Sequence, residues 1–93
     1  MLYALNANGG QVRWRFPTTS TAQNPARIRS SPLALNSIIY FGAWDGFIYA
    51  LHASDGSQQW RYRTLDIVDS SPVSGDGALY IGSNDHYLYA ITL

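Results

Sequence analysis

The side chains in this sequence that could do chemistry are few and poorly placed for it. His52 and His86 are 34 residues apart, with no His, Asp or Glu at a metal-ligand spacing, so neither reads as a metal ligand or catalytic base. Both fall at expected hairpin turns, in solvent. Asp45 and Asp85 could suggest a carboxylate pair, but each precedes a tight turn, where a short carboxylate caps backbone N–H groups. Ser30-Ser31-Pro32 resembles a nucleophile loop only until Ser70-Ser71-Pro72 repeats it. No serine elbow, phosphate loop or zinc spacing occurs anywhere. The catalytic and metal residues expected from the sequence are therefore none.

What remains is binding chemistry. Arg27 and Arg29 precede a strand-like run, and Ile67 and Asp69 stand at the matching places of the next copy, with Asp66 nearby. If those strands line a channel, Arg29 and Asp69 alternate around its mouth, within reach of pairing. Trp44 joins them as a candidate, because Asn84 occupies its position in the next copy and the repeat itself does not require an aromatic there. Trp14 and Trp60, in contrast, recur at one repeat position with Gly10 and Gly56. They read as structural residues packing one unit on the next.

The elements that must hold these residues follow from composition and repetition. In 93 residues there is no Lys and no Glu, while Tyr, Trp, Phe, Ile, Gly, Ser and Asp are plentiful, which favours strands and tight turns. Six Arg balance six Asp, so no global field selects nucleic acid or a membrane surface. Without Cys there are no disulfides or thiolate sites. No apolar run is long enough to insert in a membrane as a helix, and the start of the chain reads as neither basic nor signal-like. These features describe a soluble chain, and its compartment is not fixed by them.

Residues 2 to 18 laid on 48 to 64 match at Tyr3, Ala4, Leu5, Ala7, Gly10, Trp14, Arg15 and Thr18. Residues 30 to 51 laid on 70 to 91 match at Ser30, Ser31, Pro32, Tyr40, Gly42, Asp45, Tyr49 and Ala50. The offsets are 46 and 40, so the period is about 40 with an insertion within Thr18 to Arg27. Each period holds four strand-like runs: A (about 30 to 35, and 70 to 74), B (38 to 41, and 78 to 81), C (47 to 51, and 87 to 91) and D (58 to 63). Tight turns join them, which predicts an antiparallel meander. The B and C runs are apolar on both faces, as in strands buried between packed sheets. In the D run Trp60 and Tyr62 face one way and Gln59, Arg61 and Arg63 the other, as in an outer strand.

A four-stranded meander repeated every forty or so residues is the unit of a β-propeller. The pattern Ala50-x-x-x-x-x-Gly56-x-x-x-Trp60, preceded by Gly42, Asp45 and Ile48 to Leu51, resembles the tryptophan-docking repeat of the pyrroloquinoline-quinone (PQQ) propeller family. That family includes quinoprotein dehydrogenases and non-enzymatic relatives such as the propeller lipoprotein of the BAM complex. The usual Asp after Ala-Leu is replaced by Asn6, His52 and Thr92, and the Thr before Gly by Gly9 and Asp55, which weakens the polar contacts between blades. The resemblance implies an all-β fold and a periplasmic or extracytoplasmic setting. Its quinone and calcium sites draw residues from many blades, so no cofactor is expected here.

As organised, the chain reads as one partial propeller unit. Residues 1–18 give the C and D strands of one blade, 28–64 a full blade, and 68–93 the A, B and C strands of the next. Two blades with a surplus C strand cannot close a ring, and outer faces carrying Tyr40, Phe41, Ile48 and Tyr80 would stand in water. Identical chains are therefore expected to close one propeller, four chains making eight blades or three making six. Eight is preferred because the family's propellers usually have seven or eight. The functional expectation is a non-catalytic scaffold that binds a protein or small ligand. The alternatives are a fragment or subunit of a PQQ-dependent dehydrogenase, or a piece of a longer propeller.

Overall fold

The computed structural model describes residues 2–5, 7, 9–16 and 27–93. Apart from Arg27, the insertion inferred within Thr18 to Arg27 lies outside them. Nine strands follow in order: β1 (Leu2–Leu5), β2 (Val12–Phe16), β3 (Leu33–Leu35), β4 (Ile38–Gly42), β5 (Phe47–His52), β6 (Gln58–Arg63), β7 (Val73–Gly75), β8 (Ala78–Gly82) and β9 (Leu88–Thr92). They form three antiparallel meanders, β1-β2, β3-β4-β5-β6 and β7-β8-β9. No helix occurs among the described residues, hence none long and apolar enough to cross a membrane.

The turns explain why neighbours pair. Asn36 and Ser37 have φ of 52° and 65°, and Asp76 and Gly77 have 52° and 73°, so both A-to-B turns place two residues in the left-handed region. That backbone matches the twist of a two-residue hairpin. Each C-to-D hairpin has a register shift, at Ala4/Leu5 and at Ala50/Leu51, and sets a small Ala opposite a Trp: Ala4 to Trp14, Ala50 to Trp60.

The A strands begin three residues later than the sequence suggests. In the first copy, Ser30 Oγ donates to the Gly42 carbonyl (3.0 Å) and accepts from the Gly42 N–H (3.0 Å). In the second, Ser70 makes the same two bonds to Gly82, at 2.7 and 2.8 Å. A side chain thus takes the ladder positions that strand backbone would have filled, and Pro32 and Pro72 have no N–H to pair.

The middle sheet is buried on both faces, with alternate residues of β4 and β5 going to opposite sides. Tyr40, Ile48 and Ala50 pack with Val68, Leu79 and Ile81 towards the third sheet. Phe41, Tyr49 and Leu51 pack with Leu2, Trp14 and Phe16 towards the first. Phe16 meets Tyr49 edge-on at 5.1 Å and Phe41 stacks on Tyr49 at the same separation, so truncating the fully buried Phe41 ring costs roughly 3–5 kcal/mol. This corrects one expectation: Tyr40, Phe41 and Ile48 are buried, not left in water. The chain stacks three sheets, and its partial first and last ones cover both sides of the complete one. The open faces belong instead to Tyr3, Leu5 and Val12 at one end and to Val73, Tyr87 and Leu88 at the other, all more than half exposed.

Candidate functional site

At the end of the blades where β4 turns into β5, the short strap before β3 is pinned by a bond from the Trp44 N–H to the Arg27 carbonyl (2.8 Å). Forty residues on, the Asn84 N–H makes the equivalent bond to Ile67 (2.9 Å). The pin brings both strap arginines to the Trp44 ring, with Cζ of Arg27 and of Arg29 each 5.3 Å from its centroid. Trp44 Nε1 donates to Asp69 Oδ1 at 3.0 Å. Four residues from three loops therefore form one cluster, with Trp44 half-buried and Arg27, Arg29 and Asp69 exposed. The indole is the link between Arg29 and Asp69, where the sequence suggested direct pairing.

The chemistry open to this cluster is recognition. Two guanidiniums held by an aromatic face keep forked N–H donors for carboxylate or phosphate oxygens, and Asp69 balances one of the two charges. Nothing in it is a nucleophile or a base.

The other polar groups hold up backbone. Asp45 accepts from the Phe47 N–H (3.0 Å) and from the Tyr49 hydroxyl. Asp85 accepts from the Tyr87 N–H (3.0 Å), the Leu65 N–H (3.1 Å) and the Tyr89 hydroxyl (2.5 Å). Burial pushes Asp85 up, but its hydrogen bonds, led by the Tyr89 hydroxyl, outweigh that and lower its pKa. The bond to Asp85, helped by burial, raises Tyr89 to about 12. Capping by the aspartates was legible from turn position. The tyrosine hydroxyls were missed, although Tyr49 and Tyr89 recur with Asp45 and Asp85, because recurrence marks a position without showing a bond. His52 and His86 are exposed at opposite ends of the blades.

This donor set does not fit a quinone–calcium pair. Asp45 and Asp85 are already engaged, and among the described residues no three His, Cys, Asp or Glu side chains could hold a metal.

The two repeat tryptophans differ. Trp14 Nε1 donates to the Ala53 carbonyl (2.8 Å), and its ring lies against Gly56, where a Cβ would be 2.6 Å from Cδ2 and Cε3. Trp60 is half-buried, 5.9 Å from the Tyr40 ring, and its Nε1 has no acceptor among the described residues. Gly10 has the same φ as Gly56, +76°, yet a Cβ there would meet nothing within 4 Å.

Residues 1–93 match the family described as outer membrane protein assembly factor BamB. The chain is 32% identical over 94 residues to BamB of Escherichia coli K12, covering 96% of this chain and 22% of that one. It is 28% identical over 81 residues to the serine/threonine-protein kinase AfsK of Streptomyces griseus, covering 86% of this chain and 10% of the kinase. In three dimensions it superposes on the crystal structure of BamB from Moraxella catarrhalis with a TM-score of 0.79 and 29% identity, over 96% of this chain and 26% of that one. A europium-containing methanol dehydrogenase superposes with a TM-score of 0.74 over 95% of this chain and 16% of its own, at 18% identity, a likeness of fold alone. The chain thus spans about a quarter or less of each of these four proteins.

Proposed function

The chain belongs to the BamB family of PQQ-like propeller repeats, and on that premise we propose that it is a non-catalytic scaffold. Further copies of the same chain cover its open blade faces and close a propeller. The Arg27, Trp44, Arg29 and Asp69 cluster at one rim contacts an acidic segment of a protein partner. The observation that carries the binding role is that cluster: it leaves guanidinium donors exposed, whereas Ser30, Ser70, Asp45 and Asp85 are committed to backbone. Support for a protein partner comes from the relatives, named as outer membrane protein assembly factors. Ring assembly is supported by the exposed apolar faces, Tyr3, Leu5 and Val12 on one and Val73 and Leu88 on the other, at 54% to 72%.

The test keeps Trp44 and uses a photo-crosslinking amino acid at position 84, its exposed repeat counterpart at the same end of the blades, or, as a control at the opposite blade end, at position 52. Cell-envelope protein crosslinked from position 84 and not from 52, and lost on Arg27→Ala with Arg29→Ala, supports the reading. Equal capture from both positions contradicts it, as does dye-linked alcohol oxidation by the purified chain with added PQQ and calcium.

A further inference from the structure

Trp60 and Gly10 are the two halves of a contact that the chain makes once internally. In the internal copy, Trp14 lies on Gly56 and bonds the Ala53 carbonyl. The repeat offset of 46 carries that triad to Trp60, Gly10 and Ala7. Within one molecule they cannot meet, since the β1–β2 hairpin lies on the first sheet's side of the middle blade and Trp60 packs on the third sheet's side. Resting on the ring reading above, we propose that the β1–β2 hairpin of one copy enters the third sheet of another in place of β9, seating Trp60 on Gly10 of the entering copy, with Nε1 donating to its Ala7 carbonyl.

Three further features fit this joint. The strands β1 and β9 read Leu-Tyr-Ala-Leu and Leu-Tyr-Ala-Ile, so β1 can take the β9 register beside β8, setting Ala4 of the second copy where Ala90 now faces Tyr80. Tyr3, 54% exposed, then arrives where Tyr89 now donates to Asp85, so the carboxylate exchanges one tyrosine for another. Finally, an apolar hollow of about 150 Å³ lies along β1, lined by Leu2, Ala4, Trp14, Pro32 and Ile39. It is where Tyr80 of the neighbouring copy falls, as Tyr40 does between the second and third sheets. The composite blade takes A and B from one chain and C and D from the next. The surplus C strand is β9, displaced. Such a head-to-tail contact closes into a ring when its rotation permits.

The chain has no cysteine, so introduced ones report cleanly. Ala4→Cys with Tyr80→Cys places the pair in one cross-strand register only between copies, within disulfide reach. The expected result is a 4–80 disulfide between chains, found by mass spectrometry of the oxidised oligomer. Gly10→Val should raise the dissociation concentration by roughly 30-fold, as loss of a buried Trp anchor does. Ser37→Val carries a backbone cost at φ +65° in the middle sheet's own turn, away from the joint, and should leave association unchanged. Chains that associate without a 4–80 disulfide, or regardless of Gly10→Val, overturn this joint and leave the ring reading standing. A folded monomer overturns both.

Discussion

Trp14 lies against Gly56 with its indole N–H on the Ala53 carbonyl, so one of the rings that fasten the first sheet to the second is one that only a glycine admits. Gly56→Ala forces a Cβ to 2.6 Å from that ring at a φ of +76°. The expected loss is about 2–3 kcal/mol, against about 1 for Gly77→Ala, which meets only the backbone cost. Denaturant midpoints for the two variants check this, and equal losses would show that the ring is not seated there.

Two turn residues are in the wrong conformation for their type. Ser37 has φ of 65° where its repeat counterpart is Gly77, and His86 has φ of 77° where its counterpart is Gly46. Ser37→Gly and His86→Gly should each stabilise by roughly 1 kcal/mol, raising the melting temperature by about 4–8 °C. Thermal scans at fixed concentration read the effect, and a fall in both would contradict the turn geometry.

The Asp85–Tyr89 bond makes stability depend on pH at both extremes. Tyr89 is raised from 10.0 to about 12, so its contribution is complete below pH 10 and disappears as pH climbs towards 12. Asp85 is lowered from 3.8, so its contribution is complete above that value and disappears as pH falls below it. Measured at concentrations below assembly, Tyr89→Phe should flatten the alkaline loss and weaken the chain at neutral pH. An unchanged alkaline limb would remove the bond from the account.

The binding role proposed for the Arg27–Trp44–Arg29 cluster can be separated from any part it has in holding the fold. Arg27→Ala with Arg29→Ala should change folding stability by less than about 1 kcal/mol, since exposed cation–ring contacts contribute little, while abolishing capture at position 84. Unfolding and crosslinking of the same variant separate the two effects.

Much of the fold was legible because its signals are local. The B strands come within a residue of their expected limits, and β6 spans 58 to 63 as read from Trp60, Tyr62 and the intervening arginines. The A strands were read too long, since a serine side chain and a proline occupy what looks like strand sequence. Burial was misjudged at Tyr40, Phe41 and Ile48, because it depends on how many sheets stack and not on any strand's own pattern. At the rim cluster, residue types pointed to Arg27, Arg29, Trp44 and Asp69. Their meeting depends on the Trp44 to Arg27 backbone bond, which spans 17 residues and leaves no mark in the sequence.

The central claim is that copies of this chain complete each other's blades, and light scattering on the eluting peak of the intact chain at micromolar concentration tests it most directly. Four chain masses, an eight-bladed ring, is the predicted result, with three chain masses giving a six-bladed one. A well-folded species of one chain mass would contradict the account.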